Sequence, residues 1–204
     1  ESAIIQNMER KGLIPKCLAS PQRSLESVRF DGVNAVLSGR VAFCEMGSGK
    51  GDLSYHLHKA LRHNESVRRK QQSQQQADSA NSISVDYTLI DRMPFQSKSK
   101  KLDHVVRYES KAEKDAPRLF APSCTRLTMD LKNFKIFENL PQLQSSSHAL
   151  FFSKHLCGPA LDMCLRHVAD YITTDTMGST HPSLGICFAT CCQHLLDIDN
   201  IALP

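Results

Sequence analysis

One stretch constrains the fold more than any other. Residues 41–61, VAFCEMGSGKGDLSYHLHKAL, run a β-rich apolar segment into an acidic residue, then three glycines at alternate positions, then a helical pattern. Leu53, Leu57 and Leu61 are four apart and share one stripe of that helix. A buried strand, a glycine turn and an amphipathic helix together form the opening of a parallel α/β unit. The pattern recurs along the chain. SVDYTLIDR, RLTMDLKNF, HALFFSKHL and GICFATCC read as further strands, and CGPALDMCLRHVADYI reads as a helix after the fourth. The expected fold is therefore α/β, a doubly wound, mostly parallel sheet. In such sheets ligands sit outside the carboxyl ends of the strands. Glu45, Asp91, Asp130, Lys154 to Cys157 and Ala189 to His194 stand at those ends and are expected to face one crevice.

The rest of the chain sorts around this unit. Residues 1–40 read as a helical lead-in, with LESVRFDGVNAVLSG a helix that stops at Gly39. Residues 41–204 are the main domain. Residues 64–82 are polar and repetitive, with almost nothing to pack, and are expected to form a disordered insertion. A basic stretch, QSKSKKLDH, follows the second strand, and roughly 107–122 is charged and poorly patterned.

With 204 residues, one domain is expected. The net charge of +4 is mildly basic and compatible with an anionic partner. No apolar run is long enough to span a membrane, and ESAIIQNMER does not read as a cleavable signal. Several of the eight cysteines (Cys44, Cys187, Cys191 and Cys192) lie in apolar strand-like runs, as small buried thiols do. A reducing compartment is expected, cytoplasmic or nuclear.

Three ligands suit a glycine turn after a strand. A nucleoside-triphosphate loop needs a Ser or Thr after its lysine to hold magnesium, and GSGKGD has none. A dinucleotide site needs GxGxxG and a pyrophosphate on the helix N-terminus. Here the spacing is GxGxG, at Gly47, Gly49 and Gly51, and the Glu45 carboxylate before it would repel a pyrophosphate. S-adenosylmethionine has no phosphate and carries a positive sulfonium and ammonium. Glu45 suits that charge, Asp91 is placed to accept from two ribose hydroxyls, and Asp130 stands where the adenine amino group would lie. Gly51 and Asp91 are 40 residues apart, against a usual gap of about 20. The polar insertion accounts for the excess. The competing reading of each acid is a turn or helix-cap carboxylate.

The block KHLCG followed by ALDMCLR narrows this further. With EMGSGKGDLS, LIDR and the downstream Asp103, RLTMDLKNF and GICFATCCQHL, it resembles the eukaryotic tRNA 2′-O-methyltransferases that modify nucleotide four of the acceptor stem, the Trm-thirteen type. The resemblance runs from about 41 to 196. It implies a Rossmann-like methyltransferase that uses S-adenosylmethionine and methylates a ribose 2′-hydroxyl of tRNA. Glu45, Gly47, Gly49 and Gly51 match the family's donor loop, and Asp91 and Asp130 match its next two acidic strand ends. Lys154, His155, Cys157, Gly158 and Asp162 match the KHLCG block. Three departures stand out. The family's N-terminal zinc modules are not visible, so no metal site is expected in this chain. Gln193 and Leu196 replace a His and a Cys. The sheet is expected to stop short of the family's further strands. Two alternatives stay open: a methyltransferase with a non-tRNA acceptor, and a degenerate, non-catalytic RNA-binding relative.

A ribose hydroxyl is a poor nucleophile, so its methylation needs in-line placement and a group that takes or shares the proton. Lys154 and His155 are the candidates, because histidine ordinarily titrates near neutral pH and lysine can orient a hydroxyl or a phosphate. Cys157 reads as small packing, since a hydroxyl acceptor needs no covalent adduct. Cys191, Cys192 and His194 lack a trusted zinc spacing, and His194 is instead a candidate for the substrate wall. Lys98 and Lys101 are candidate tRNA phosphate contacts. Arg68, Arg69 and Lys70 read as solvated charge.

Overall fold

The computed structural model describes residues 2–15, 18, 39–71, 83–95, 101–112, 120–174 and 182–190. Helix α1 (Ser2–Arg10) precedes strand β1 (Arg40–Met46), helix α2 (Asp52–Gln71), strand β2 (Ile83–Asp91), helix α3 (Lys101–Ala112) and strand β3 (Phe120–Thr128). Two 3₁₀ turns, Leu131–Asn133 and Pro141–Ser145, flank the short helix α4 (Ile136–Asn139). Strand β4 (Ser146–Lys154), helix α5 (Pro159–Thr173) and strand β5 (Ser183–Ala189) follow.

Every strand pairing is parallel, in the order β3-β2-β1-β4-β5. The expected doubly wound α/β sheet is what forms. β1 lies at the centre with helices over both of its faces, so both sides of the strand favour apolar residues, and Glu45 near its end is the buried exception. Val41 to Met46 are all buried. Val41 and Phe43 face α1, α2 and α3, where Met8, Leu53, Leu57, Leu61 and Leu102 meet them. Ala42, Cys44 and Met46 face α5 and the α4 region, against Phe134, Leu143, Cys164 and Val168. The Leu53, Leu57 and Leu61 stripe is thus the buried side of α2. Each such side chain contributes roughly 1.5–3 kcal/mol on full burial.

From β1 the chain moves outward through β2 to β3, then returns to β4 on the other side of β1. The order therefore reverses between β1 and β4. At such a point the loops after the two strands diverge to opposite faces and leave a crevice.

Two readings of the sequence need correction. Residues 64–71 belong to α2 rather than to an insertion. The helix continues there on polar contacts, which apolar periodicity does not reveal. Asn64 donates to Glu9 Oε1 at 2.8 Å and to the Leu18 carbonyl at 3.1 Å. Buried Glu65 is held by Arg62 and Arg69 at 2.7 and 2.8 Å. Residues 72–82 lie outside the described residues. The segment near 107–122 is likewise not patternless: α3 runs to Ala112, and β3 begins at Phe120 rather than Arg126. β3 is an edge strand with much of its length exposed. Polar residues and Pro122 are tolerated at an edge, and they mask the strand in the sequence. The proposed helix before Gly39 falls outside the described residues.

The lead-in is fastened to the sheet. His148 Nε2 lies 2.8 Å from the Leu13 carbonyl, and a Cβ on Gly185 would stand 3.2 Å from Leu13 Cδ2. Among the described residues, no helix is long and apolar enough to cross a membrane. Cys44, Cys124, Cys157, Cys164 and Cys187 are free thiols. Burial pushes the Cys44 and Cys164 thiols up to about 12, which leaves them unreactive.

Candidate methyl-donor site

The glycine turn stands at the carboxyl end of β1. Ser48 N–H donates to the Ile90 carbonyl at 2.8 Å, and Gly51 N–H closes the turn on the Ser48 carbonyl at 2.8 Å. Gly47, Gly49 and Gly51 have φ of +64°, +53° and +80°. That left-handed backbone is glycine's region, which is the physical reason for three glycines here. Two of them also admit neighbours. A Cβ on Gly47 would lie 3.0 Å from Leu156 Cδ1, and one on Gly51 would lie 3.0 Å from Leu89 Cδ1. Among the described residues, no atom outside Ser48–Lys50 lies within 4 Å of the Cβ position on Gly49, so these residues leave that face of the turn open.

The three acids are differently engaged. Asp91 ends β2 and reaches across to the turn, where Oδ2 accepts from Gly49 N–H at 2.7 Å and Oδ1 accepts from Met93 N–H at 2.9 Å. Asp130 follows β3 and caps the first 3₁₀ turn by accepting from Lys132 N–H at 3.0 Å. Glu45 is 3% exposed. Its Oε2 accepts from both the backbone N–H and the hydroxyl of Ser54, at 3.0 and 2.5 Å. Ser54 lies in the first turn of α2, where backbone N–H groups lack helical partners. Glu45 therefore joins the strand end to the helix start, the capping alternative weighed for it above.

Burial pushes the Glu45 carboxyl up to about 7, against the lowering effect of the Ser54 bonds and Arg126. The ordinary value is 4.5. Between these values the folded chain holds a proton that the unfolded chain has released. The resulting stability is fully present below 4.5 and is lost as pH rises through about 7. Melting temperatures measured from pH 5 to 8 should fall with pH in the wild type relative to Glu45→Gln, which has no such proton. Parallel curves for the two proteins would contradict the buried, raised carboxyl.

Across the switch point stands the KHLCG block. Lys154 is the last residue of β4, and His155 follows it with φ +64°, the one non-glycine residue at positive φ among the described residues. Its backbone N–H donates to the Ala189 carbonyl at 2.9 Å, which ties the β4 and β5 ends together, and its side chain is exposed. Leu156 turns inward against Gly47, so the two predicted halves of the site touch. Gly158 precedes α5 with φ +60°, and Pro159 occupies the first helical turn. Asp162 pairs with Arg166 at 3.3 Å on the surface of α5. Lys101 opens α3 and pairs with Asp52 at 3.1 Å, beside the start of α2. Lys98, Cys191, Cys192 and His194 lie outside the described residues.

Sequence reasoning missed Ser54 as the partner of Glu45, and it missed Arg126. Both stand at the ends of stretches quoted for the resemblance, EMGSGKGDLS and RLTMDLKNF, but no spacing pairs them with Glu45 or with the turn. Arg126 points from β3 to the turn, with Nη2 2.8 Å from the Lys50 carbonyl. Ser48 Oγ in the turn and Ser153 Oγ beside Lys154 are buried without hydrogen-bond partners among the described residues. The Asp91 and Asp130 carboxylates after β2 and β3, an open glycine face and a spare buried hydroxyl suit a ligand with cationic and hydroxyl groups, as S-adenosylmethionine has, whereas Glu45 is engaged by Ser54. Among the described residues, no group of three or more His, Cys, Asp or Glu is placed to hold a metal ion.

Comparison with known proteins agrees with this arrangement. Residues 1–202 match the family model described as Methyltransferase TRM13. The chain is 30% identical over 162 residues to the "tRNA:m(4)X modification enzyme TRM13" of Vanderwaltozyma polyspora, covering 79% of this chain and 32% of that protein. It is 28% identical over 159 residues to the protein of the same name from Saccharomyces cerevisiae, covering 76% and 32%. A homologue from Dictyostelium discoideum is 26% identical over 158 residues, covering 78% and 24%. The chain thus spans about a third or less of the length of these relatives. No solved structure matches it. A glycine turn bounded by carboxylates, facing a KHLCG block across the switch point of a parallel sheet, accords with a match over nearly the whole chain, and the chain belongs to the TRM13 methyltransferase family.

Proposed function

We propose that this chain is the catalytic domain of a tRNA methyltransferase that transfers a methyl group from S-adenosylmethionine to the ribose 2′-hydroxyl of nucleotide four in the acceptor stem. One observation carries the reading furthest. The glycine turn follows β1 and the Lys154–His155 pair ends β4 beside it across the switch point, with the next residue, Leu156, packed on Gly47. A donor held on the turn would supply its methyl group to the crevice that these residues border. The family match supports tRNA as acceptor over the two alternatives.

S-adenosylmethionine supplies an electrophilic methyl on a positive sulfonium. The protein's part is to bind and orient. Asp91 accepts from the ribose hydroxyls of the donor, Asp130 stands on the adenine side, and Gly47, Gly49 and Gly51 let the backbone approach. His155 accepts the proton of the attacking 2′-hydroxyl, and Lys154 orients that hydroxyl or a neighbouring phosphate.

Charge around the crevice supports an RNA acceptor approaching the carboxyl edge. Lys50, Arg92 and Lys132 follow β1, β2 and β3, are exposed, and make no ion pair among the described residues. The nearby carboxylates are engaged: Asp52 with Lys101, Asp103 with Arg126, and Asp91 and Asp130 with backbone N–H groups. Lys101 belongs to this rim. Arg68, Arg69 and Lys70 do not. They end α2, whose 20 residues run back from the crevice for about 30 Å.

The test is methyl transfer from labelled donor to tRNA, followed by alkaline hydrolysis. A 2′-O-methyl removes the hydroxyl that attacks the adjacent phosphodiester, so the bond after nucleotide four should survive alkali. Label on a base, or an alkali-labile bond there, would refute the ribose assignment. Donor binding without transfer would favour the non-catalytic relative. Arg92→Glu and Lys132→Glu should each weaken tRNA binding and flatten its log–log salt dependence by about 1, while Lys70→Glu should leave both unchanged. The reverse pattern would place the RNA at the amino edge instead.

A further inference from the structure

We infer that Arg126, held by Asp103, is a positioning residue that clamps the donor turn in its ligand-ready shape. The inference deepens the reading of that turn as the methyl-donor site and rests on it.

Arginine presents five N–H donors in a rigid planar fork. Here the fork is divided between two tasks. Nε donates to both Asp103 oxygens at 3.1 and 3.0 Å, and Nη2 lies 2.9 Å from Asp103 Oδ2. Nη1 donates to the Gly49 carbonyl at 3.3 Å, and Nη2 to the Lys50 carbonyl at 2.8 Å. Two successive carbonyls of the turn are thus gathered by one side chain whose orientation Asp103 fixes. The pair is largely shielded, with side chains 15% and 22% exposed, so water competes with it less than with a surface ion pair.

Three further observations point the same way. Gly49 is gripped on both sides, its N–H by Asp91 and its carbonyl by Arg126. That fixes the peptide units around the open face of the turn. Gly51 makes room for the clamp, because a Cβ there would stand 3.1 Å from Arg126 Nη2. The third glycine therefore leaves the guanidinium its place as well as suiting its own φ. The first turn of α3 also holds both ends of the structure. Asp103 fixes the clamp, and Lys101 binds Asp52 at the start of α2.

A staple that only joined β3 to α3 would need Asp103 and nothing more. The guanidinium instead sends both of its terminal nitrogens to the turn. Arg126 reaches the turn through backbone carbonyls, so it would act on a bound donor through the backbone.

The experiment is calorimetric titration of S-adenosylmethionine into the 204-residue chain and its Arg126→Met, Arg126→Lys and Asp103→Asn variants, with melting temperatures for each. Arg40→Met is the control. It removes another partly shielded ion pair, Arg40 to Asp86 at 2.9 Å, at the start of β1, far from the turn. Loss of charge-assisted bonds to the turn should weaken donor binding at least about tenfold in Arg126→Met. Arg126→Lys should recover part of it, since one ammonium reaches one carbonyl. Asp103→Asn should fall between Arg126→Lys and the wild type. Arg40→Met should lower the melting temperature without weakening the donor. A folded Arg126→Met variant with wild-type donor affinity would overturn the clamp, as would an equal loss in Arg40→Met. Should the wild-type chain not bind the donor, the donor reading fails by itself. Hydrogen exchange at residues 48–51 then decides the clamp: faster exchange in Arg126→Met keeps it, and equal exchange overturns it.

Discussion

Asp91→Ala should weaken S-adenosylmethionine binding about 100-fold or more while leaving the chain folded. Two losses add. The variant removes the acceptor for two ribose hydroxyls, and hydrogen bonds to a charged group contribute about 1.5–3 kcal/mol each. It also removes the acceptor for Gly49 N–H at 2.7 Å, so the turn loses an anchor. The fold should survive, because β2 is paired along its length with β1 and β3 and the Asp91 side chain is only partly buried. Asp91→Asn sharpens the test. It keeps the shape but sets an amide NH₂ among groups that also donate, so an intermediate loss of about tenfold is expected. Titration calorimetry reads both variants. Unchanged affinity in folded Asp91→Ala would remove Asp91 from the ribose site.

His155 should show opposite effects on stability and on turnover. A non-glycine residue at φ +64° is strained. Such strain persists where surrounding structure imposes it, and here the His155 N–H to Ala189 bond and the inward turn of Leu156 do so. Glycine adopts this backbone freely. His155→Gly should therefore leave stability unchanged or raise it by up to about 1 kcal/mol. The same variant removes the proposed proton acceptor, and general base catalysis contributes about 10²- to 10⁴-fold. Single-turnover methyl transfer with donor and tRNA both saturating isolates that step. A stable variant with slow transfer and normal binding would identify His155 as the base. A stable variant with near-normal transfer would end that role and leave Lys154 as the candidate.

The sequence carried much of this site because two of its signals are local. The run from Val41 to Met46 reads as a doubly buried strand, and the Leu53, Leu57 and Leu61 stripe reads as one helix face. Three alternate glycines mark a turn with left-handed backbone, and each adopts it. Chemistry at the strand ends follows once the parallel order is accepted, since every strand then ends at the same edge. Where the signal is not local, the reading failed. Near and beyond His63, α2 is held through partners distant in the chain, Asn64 on Glu9 and Leu18 and Arg62 on Glu109, and by the polar pairs of Glu65 with Arg62 and Arg69. β3 lacks the apolar pattern because one face of an edge strand meets water.

By itself, then, the sequence determined the α/β alternation, the glycine turn, the acidic strand ends and the KHLCG block, because each depends on periodicity or on the backbone freedom of a few adjacent residues. Only the tertiary structure decided which groups each acid engages. Glu45 lies with Ser54, nine residues on, Asp91 with Gly49, and Arg126 with both Asp103 and the carbonyls of Gly49 and Lys50. The physical reason is that a buried carboxylate or guanidinium must find partners wherever the fold brings donors and acceptors within about 3 Å. That distance is set by how strands and helices pack, and no spacing along the chain encodes it.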